Sequence, residues 1–303
     1  MGSVRKFLVV LVTMLLMHAA PAVAQQQDFS QVQIGTEPVA DGLYMLTGSG
    51  GNIGVSVGAD GVVLIDDQYA PLVEKIRAAV AKLSDEPVLM VLNTHWHFDH
   101  TGGNELLAGG GAVVIAHENV RKRMSVRQFN EFFQSDTPPS PAGALPVVTF
   151  TRDVTLHLNG QTIELKHVPA AHTDGDAIVW FQELNAVHMG DTYFNGFYPF
   201  IDFSSGGNIR GMVTAVEQAL ETMDADTRVI PGHGPLSNAA ELRNYQRMLK
   251  AVTERIDALI AEGKDVDAIV AAKPTAAFDA DWGNGFIKPD DFVRLVYRGM
   301  VAQ

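Results

Sequence analysis

The segment THWHFDHTGG constrains this chain more than any other, because three histidines and an aspartate lie within six consecutive positions. It follows the apolar run PVLMVL at residues 87–92, which is typical of a strand buried on both faces. In an extended segment, residues two positions apart point to the same side, so His95 and His97 are placed to reach one ion together. Asp99 and His100 follow as the chain turns and are placed to serve a second ion. The fold must therefore place a loop crowded with potential metal ligands directly after a buried strand.

Three more candidate metal ligands lie further along the chain, each at the end of a predicted strand. They are His172 in PAAHTDGD, Asp191 in VHMGDTYF and His233 in VIPGHGPL. Each has glycine close by, and glycine allows the backbone to turn sharply and approach a metal without a side chain in the way. The other histidines and two loop aspartates are interpreted as ordinary surface, core or turn residues: His117, His157, His167, His188, Asp174 and Asp176.

The chain contains no cysteine, which limits the chemistry of any metal site. Disulfide bonds, thiolate ligands and a thiol nucleophile are excluded. A metal must be held by histidine and carboxylate, a ligand set that suits zinc, with iron and manganese as possible substitutes. The formal net charge of −13 at pH 7 disfavours binding to nucleic acid or anionic lipid through bulk charge. The predicted partner is therefore a small molecule and not a nucleic acid, and no oligomeric state is predicted.

The first 24 residues have the layout of a secretory signal peptide. Two basic residues open the segment, an apolar run covers residues 7–17, and the small residues Ala22-Val23-Ala24 precede a glutamine run. An uncleaved membrane anchor is the alternative, but the apolar run is short for a membrane span. We therefore expect a periplasmic or secreted protein, without stable membrane anchoring once the signal at residues 1–24 is cleaved.

Residues 25–303 are predicted to form a single domain of the α/β class. Apolar runs split by glycine at 43–65 are typical of strands joined by tight turns. Asn159-Gly160, between the alternating segments VTLHL and QTIELKHV, is a strong hairpin signal. The proline-rich residues 136–146 are predicted to be a loop that acts as a flap over the site. Helices are predicted over five stretches, residues 70–83, 117–134, 208–223, 238–262 and 289–300.

Together these motifs resemble the metallo-β-lactamase superfamily. The resemblance rests on HWHFDH, on His172, on the Gly190-Asp191 pair and on GHG at 232–234, and it covers nearly all of residues 25–303. It implies one metallo-β-lactamase-like catalytic domain folded as a four-layer αββα sandwich. In that fold two sheets pack together, and the metals lie at one edge between them.

The resemblance also implies how two metal ions share the ligands. Six side chains divide into two sets of three, one set for each ion: His95, His97 and His172 for the first, and Asp99, His100 and His233 for the second. Asp191 would bridge both ions. An aspartate after the second strand commonly supports the site in this family, and Asp66 in VVLIDD matches that position. Asp66 is therefore expected to hydrogen-bond a ligand histidine.

Such a site implies an exported dinuclear zinc hydrolase that opens a carbonyl substrate by metal-bound hydroxide. Two Zn²⁺ ions per chain are expected, with iron or manganese as substitutes. Asp99 is the predicted catalytic residue, because it is also placed to orient the attacking water. Opening of a β-lactam ring is the leading candidate reaction. The alternatives are a lactone or thioester hydrolase like glyoxalase II, and a periplasmic metal-binding accessory protein with little turnover.

Two departures from the largest class of secreted β-lactamases bear on the substrate. That class has a cysteine where this chain has Asp191, and a lysine that grips the carboxylate of the drug where this chain has Phe194. Asp191 instead resembles the residue found in glyoxalase II and in the lactone hydrolases. Tyr193 and Phe197, in the aromatic stretch TYFNGFYPF, are candidates for an apolar substrate wall, with a place in the core as the equal alternative. Arg210 is a candidate carboxylate anchor, and its alternative is the start of a helix.

Overall fold

Two β-sheets packed face to face form the centre of the molecule in the computed structural model, which describes residues 28–301. The predicted signal peptide lies outside the described residues. Within 28–301 the first sheet has seven strands, the second has six, and a two-stranded hairpin stands apart from both. Helices cover the outer face of each sheet. The layers therefore run helix, sheet, sheet, helix, as the predicted four-layer αββα sandwich requires.

The amino-terminal half builds the first sheet and the hairpin. Its strands are β1 Gly35–Ala40, β2 Leu43–Thr47, β3 Ile53–Gly58, β4 Gly61–Ile65, β5 Val88–Leu92, β6 Val113–His117, β7 Gln128–Asn130, β8 Ser135–Thr137 and β9 Val148–Phe150. Its helices are α1 Val73–Val80, α2 Phe98–Thr101, α3 Asn104–Gly109 and α4 Glu118–Met124. β7 and β8 form the separate hairpin, and the sheet has the strand order β1-β2-β3-β4-β5-β6-β9.

The carboxyl-terminal half builds the second sheet, whose strands lie side by side in sequence order. The strands are β10 Asp153–Leu158, β11 Gln161–His167, β12 Ala177–Phe181, β13 Ala186–His188, β14 Arg228–Ile230 and β15 Ser237–Asn238. The helices are α5 Ile209–Thr222, α6 Ala239–Ala261, α7 Val266–Ala271, α8 Asp279–Trp282 and α9 Pro289–Val301. Among residues 28–301, no helix combines the length and the apolar character that a membrane crossing needs.

Apolar side chains fill the space between the two sheets and between each sheet and its helices. Ile65 and Leu92 of the first sheet pack in one buried cluster with Leu165 and Val179 of the second. On the outer face of the first sheet, Ile76 and its neighbours on α1 belong to a separate buried cluster. Helices α5, α6 and α9 cover the second sheet in the same way. Each large apolar side chain fully buried here stabilises the fold by about 1.5–3 kcal/mol.

Strand direction explains why the predicted ligands meet. β4 and β5 are parallel, so Asp66 and the segment that begins at His95 leave the first sheet at one edge. In the second sheet β11 and β13 are both antiparallel to β12, and β13 is parallel to β14. The carboxyl ends of β11, β13 and β14 therefore share one edge, and the loops that follow carry His172, Asp191 and His233. The two edges adjoin and form a crevice outside the strand ends.

The segment 117–134 is not one helix, and that prediction was wrong for its second half. Helix α4 covers only the first part, and the chain then forms β7, a turn and β8. The side-chain oxygen of Asn130 accepts hydrogen bonds from the backbone N–H groups of Phe132 and Phe133, which fixes the turn. Gln134 completes it at a φ of 50°. A side chain that bonds to nearby backbone in this way competes with helix formation.

Other elements follow the sequence more closely. Asn159 and Gly160 have φ values of 55° and 70°, the positive pair that a tight two-residue hairpin requires, and they join β10 to β11. Helices α5, α6 and α9 end within one or two residues of their predicted bounds. Strand β5 is buried only at its end, because Val88 and its two successors are half-exposed while Val91 and Leu92 are buried. The prediction of burial along the whole run was therefore too broad.

Candidate metal centre

Three histidine rings converge on one point at the edge of the sheets. Nδ1 of His97 lies 3.1 Å from Nε2 of His95 and 2.9 Å from Nε2 of His172. His95 and His172 are buried, and His97 is nearly so. Inner ring nitrogens this close to one another are suited to share a cation, which removes the repulsion between their lone pairs.

The outer nitrogen of each of these rings faces an oxygen, which fixes the direction of the ring. The three contacts are His95 Nδ1 to Thr94 Oγ1 at 3.0 Å, His97 Nε2 to Asp202 Oδ2 at 3.0 Å, and His172 Nδ1 to the Phe200 carbonyl oxygen at 2.8 Å. An acceptor on the outer side places the ring proton there and leaves the inner nitrogen free to bind a metal.

A second group of side chains lies beside the first and consists of Asp99, His100 and His233. Nε2 of His233 lies 3.4 Å from Oδ2 of Asp99 and 3.3 Å from Nε2 of His100. His100 is fully buried, and its Nδ1 lies 2.8 Å from Oδ2 of Asp66. The structure thus joins Asp66 to a histidine of the predicted ligand set, where it holds the ring by a hydrogen bond.

Asp191 lies between the two groups. Its Oδ2 is 3.6 Å from Nε2 of His172, 3.9 Å from Nε2 of His95 and 3.4 Å from Nε2 of His233. Its Oδ1 is 3.1 Å from Nε2 of His100. Among the described residues this buried Oδ1 has no partner in good hydrogen-bond geometry. A buried carboxylate that faces histidines of both groups is placed to bridge two cations.

Burial keeps two histidines of the first group, His95 and His172, neutral. It lowers the pKa of His95 well below the usual value and lowers the pKa of His172 to about 4, although the Asp191 carboxylate opposes both shifts. Neighbouring histidines add to the lowering, because a second positive charge would be repelled. Neutral imidazole is the form that binds a metal, so these two rings need no proton loss at neutral pH.

The second group behaves in the opposite way, because it contains carboxylates. Burial lowers the pKa of His233 and of His100, but Asp191 and Asp99 outweigh burial, raising the first to about 9 and the second well above its usual range. Burial likewise opposes ionisation of the two aspartates. Attraction to His100 and His233 nevertheless lowers the pKa of Asp191 far below its usual value and that of Asp99 to about 2. The pocket therefore attracts positive charge.

These observations fit a metal centre made of nitrogen and oxygen ligands. Tetrahedral zinc, with Zn–N distances of about 2.0–2.1 Å, holds its ligand nitrogens about 3.3 Å apart, close to the separations in the first group. Three sets of side chains have ligand atoms within 4.8 Å of one another: His95, His97 and His172; His95, His100 and Asp191; and Asp99, His100 and His233. All seven predicted ligands therefore meet in one place.

A sequence model of the metallo-β-lactamase superfamily matches residues 46–233, which is more than half of the chain and includes every predicted ligand. The chain belongs to the metallo-β-lactamase superfamily. It is a metal-dependent hydrolase of that superfamily, and the family and fold predicted from the sequence are confirmed.

Relatives within the superfamily are similar to this chain at below 30% identity. Hydroxyacylglutathione hydrolase of Rhodospirillum rubrum is 29% identical over 224 residues, which cover 72% of this chain and 75% of that protein. The protein of the same name from Polaromonas sp. is 28% identical over 174 residues, covering 55% of this chain and 57% of its own length. The chain thus spans between about half and three quarters of these relatives.

Solved structures of two kinds share the fold. The metallo-β-lactamase from Pontibacter korlensis superposes with a TM-score of 0.59 at 19% identity, covering 72% of this chain and 99% of that one. The sec-alkylsulfatase Pisa1 from Pseudomonas sp. gives a TM-score of 0.65 at 17% identity, covering 88% of this chain and 50% of that one. At such low identity these two structures show the shared fold alone.

A cavity of about 600 Å³ opens beside the two ligand groups. His97, Asp99, Asp191 and His233 form its floor, and Phe197 stands in its wall as one of the two aromatic candidates predicted there. Six phenylalanines line it in all: Phe98, Phe133, Phe194, Phe197, Phe200 and Phe286. The site of this superfamily member therefore combines a charged floor with an apolar wall.

The hairpin of β7 and β8 covers one side of this cavity. Asn130, Phe133, Ser135 and Thr137 of the hairpin all line it. Of the proline-rich segment 136–146, only Thr137 does so among the lining residues described, so the predicted flap is replaced by the hairpin that precedes it.

Two predicted substrate contacts are wrong. Tyr193 is fully buried, its hydroxyl lies 2.8 Å from Oγ of Ser237, and its ring packs against Tyr245 at 5.0 Å between centroids. It belongs to the core alternative because its side chain points under α6, away from the cavity wall. Arg210 lies in the first turn of α5 and forms a surface ion pair with Asp257, so it does not reach the cavity.

Two aspartates at the site were missed or undervalued by sequence reasoning. Asp202, which contacts His97, stands in PFIDFSS, a stretch with no motif to mark it. Asp176 was interpreted as a loop residue, yet it accepts hydrogen bonds from the backbone of His172 at 2.6 Å and from the backbone and hydroxyl of Thr173. Burial raises its pKa to about 7. The spacing HTDGD was the available signal, since an aspartate four residues on can close a turn around the ligand.

Proposed function

We propose that this chain is an exported dinuclear zinc hydrolase that cleaves the acyl–oxygen bond of an ester or lactone, or the acyl–sulfur bond of a thioester. The observation that carries the proposal is Asp191, a buried carboxylate within 3.9 Å of ring nitrogens from both ligand groups. Two relatives bear the name hydroxyacylglutathione hydrolase, which supports an ester-like or thioester substrate. Nitrogen and oxygen ligands favour zinc, with iron or manganese as substitutes.

The two ligand groups would each hold one ion, with Asp191 shared between them. Bound divalent ions would polarise the carbonyl of a substrate and lower the pKa of a water molecule to near neutral. The carboxylates of Asp99 and Asp191 would offset part of the added positive charge. The positive charge that remains would stabilise the carbonyl oxygen of a substrate, which becomes negative during the reaction.

Asp99 has the position that a catalytic carboxylate needs. Its side chain is partly exposed and lines the cavity, while its Oδ2 lies 3.4 Å from His233. Burial opposes its charge, but His100 and His233 lower its pKa to about 2, so it remains ionised at neutral pH. An ionised carboxylate at the floor of the cavity can accept a hydrogen bond from the attacking water and orient it towards the carbonyl carbon.

Opening of a β-lactam, the leading candidate from the sequence, is now the second candidate. This reaction uses the same carbonyl chemistry, and the fold shared with a metallo-β-lactamase supports it as a candidate. The drug also carries a carboxylate, and Phe194 stands where the lysine that grips it is found in the largest class of secreted β-lactamases. The Phe194 ring stacks on His233, with 5.2 Å between centroids and an angle of 10°. Among the described lining residues no lysine or arginine replaces that anchor.

The test combines metal analysis of the purified protein with a panel of substrates. The panel contains p-nitrophenyl acetate, a lactone, S-lactoylglutathione and a chromogenic cephalosporin. We expect two zinc ions per chain and turnover of the ester, lactone or thioester that stops with chelator and returns with zinc. Cephalosporin turnover with the other substrates untouched would replace the proposal by a β-lactamase. Two bound ions without turnover of any substrate would favour a metal-binding accessory protein.

Export is tested separately from catalysis. The full chain is expressed in a bacterial host, and the protein recovered from the periplasmic fraction is sequenced from its amino terminus. We expect it to begin at Gln25, directly after the A-x-A site. An uncleaved protein in the membrane fraction would support the anchor alternative instead.

A further inference from the structure

We infer that the substrate carries an uncharged apolar arm, an aliphatic chain or an aryl group, which packs in the phenylalanine-lined cavity beside the metal ligands. This inference deepens the proposed function and rests on it for the reaction. Within that function it favours substrates with an apolar arm over substrates that depend on an anionic group for binding, such as glutathione thioesters. The arm would be joined to the scissile ester or lactone carbonyl.

The wall of the cavity supplies the apolar contact. Six phenylalanines from four parts of the chain face one volume of about 600 Å³, within the size range of sites for small molecules. Phe133 of the hairpin contacts Phe200 and Phe286 with ring centroids 5.0 Å and 5.6 Å apart. Tyr69 adds to this surface and packs against Phe98 at 5.4 Å. The apolar wall is therefore assembled from aromatic rings of distant segments, and it is more than a single exposed ring.

At the mouth of the cavity, part of this aromatic surface is exposed to water. Phe286 is 71% exposed, Phe98 is 56% exposed and Phe133 is 43% exposed, although all three line the cavity. Large aromatic side chains that remain in contact with water around one opening mark a ligand site in a soluble domain. An apolar arm that enters the opening would remove these rings from water.

Charge in the cavity argues in the same direction. Apart from the predicted ligands and their aspartates on the floor, no described lining residue carries a charge. Arg127 at the base of the hairpin pairs with Asp136 at 3.2 Å, and Lys288 donates to the Asn284 carbonyl at 3.4 Å. Neither lies in the wall. A carboxylate on the arm would lose its water without gaining a cation, which is unfavourable.

Two experiments separate this inference from the proposed reaction. In the first, p-nitrophenyl esters from acetate to octanoate are compared after division by their rates with hydroxide alone. We expect kcat/KM to rise about fourfold for each added methylene until the cavity is filled. In the second, binding is measured without turnover, by calorimetry of the zinc-loaded protein with N-phenylhexanamide and with an analogue that ends in a sulfonate. The neutral amide should bind at least about tenfold more tightly.

Matched variants locate the arm. Phe133→Ala and Phe286→Ala should each flatten the dependence on chain length and lower kcat/KM for octanoate about tenfold relative to that for acetate. Phe129→Ala is the control, because Phe129 lies on the same hairpin, is 49% exposed and does not line the cavity. Phe286→Lys should bring the sulfonate analogue level with the neutral amide. Val147→Lys, which is equally exposed but outside the cavity, should not.

The possible outcomes distinguish failure of the apolar arm from failure of the proposed reaction. Binding of the neutral amide without ester turnover would uphold the apolar arm and overturn the proposed reaction. Ester turnover that ignores chain length, or tighter binding of the sulfonate, would overturn the apolar arm and leave the reaction standing. Preferred turnover of S-lactoylglutathione over octanoate would also overturn the apolar arm.

Discussion

Asp202 Oδ2 lies 3.0 Å from Nε2 of His97, on the side of the ring that faces away from the other histidines. Asp202 also accepts a hydrogen bond from Ser205 Oγ at 2.7 Å and from Asn130 Nδ2 at 3.3 Å. Burial raises the pKa of this carboxyl, but the bonds from His97 and Ser205 outweigh burial and lower it. An ionised Asp202 therefore holds His97 with Nδ1 directed at the meeting point of the rings, and it connects that ring to the hairpin.

Asp202→Ala should weaken metal binding to the group of His95, His97 and His172. Loss of an outer partner of a ligand histidine typically lowers metal affinity about 10–100-fold, because the ring loses its fixed direction. Competition with a chromophoric chelator measures that affinity. Asp202→Asn should restore part of it, since the amide oxygen still accepts a hydrogen bond.

The control for Asp202 is Asp279→Asn, which alters a carboxylate bonded to Tyr198 at 2.9 Å, outside the ligand groups. This variant can lose stability but should keep the metal affinity of the unaltered protein. Wild-type affinity in Asp202→Ala would mean that Asp202 only supports the loop.

Asp66→Ala should lower both stability and the metal affinity of the group that contains His100. Asp66 is fully buried and bonds to the backbone N–H and hydroxyl of Thr94, each at 2.7 Å, as well as to His100. Removing it leaves buried donors without an acceptor, at a cost of about 1–3 kcal/mol for each. Urea unfolding of the zinc-free protein measures the free energy of unfolding, and zinc titration measures the metal affinity. Unchanged affinity in a destabilised protein would contradict the role of Asp66 at His100.

The seven residues that the structure brings together could be singled out in the sequence because each stands in a local pattern. The HWHFDH motif, and glycine next to Asp191 and His233, are visible in a few consecutive residues. The strand that precedes each ligand is visible as well, and parallel strands with a common end bring the loops together. Local sequence patterns were therefore sufficient to predict both the family and the αββα architecture.

The parts that the sequence did not predict depend on contacts between distant residues. Tyr193 and Phe197 stand four positions apart in one aromatic stretch, yet one is buried under α6 and the other lines the cavity. Asp202 gains its role from His97, which lies 105 positions earlier. The hairpin at 128–137 replaces a predicted helix because Asn130 bonds to the backbone of the next turn. Burial and partner choice at such positions follow from tertiary packing, which periodicity alone does not encode.

Asp99→Asn should leave a folded protein in which the second group binds its ion weakly and activity is largely lost. The amide keeps the size of the side chain but removes the negative charge beside His233 and His100. We expect kcat/KM to fall about a hundredfold or more, which corresponds to about 2.7 kcal/mol or more. Steady-state kinetics with added zinc, together with metal content, gives the answer. Asp136→Asn is the control, since that exposed carboxylate pairs with Arg127 on the hairpin. Full activity in Asp99→Asn would contradict the catalytic role of Asp99.

Removal of metal should lower the melting temperature markedly. A ligand that binds the folded chain alone stabilises it by about 4 kcal/mol at a thousandfold excess over its Kd. Without the ions, the buried Asp191 carboxylate must rely for charge compensation on the four histidines whose ring nitrogens lie within 3.9 Å of it. Calorimetry with zinc, with chelator, and with zinc restored measures the effect. Equal melting temperatures in all three conditions would show that the ligand groups are stable without a cation.

The two ligand groups should respond differently to pH when zinc binds. In the metal-free chain the raised pKa values leave His233, at about 9, and His100 protonated at neutral pH, whereas burial leaves His95 and His172 neutral. A proton must leave each charged ring before it binds a cation, so affinity at the second group should rise up to about tenfold per pH unit for each proton displaced. For His233 this rise should level off above pH of about 9, while His95 and His172 should add little pH dependence from mildly acidic pH upward.

Zinc calorimetry in two buffers of different protonation enthalpy counts the protons released in each binding step. We expect one to two protons for the ion at the second group and fewer for the ion at the first, because His95 and His172 are already neutral. Asp99→Asn should reduce the count, because removing that carboxylate lowers the pKa of His233 towards its ordinary value. An equal proton count for both ions would contradict the opposite charge states of the two groups.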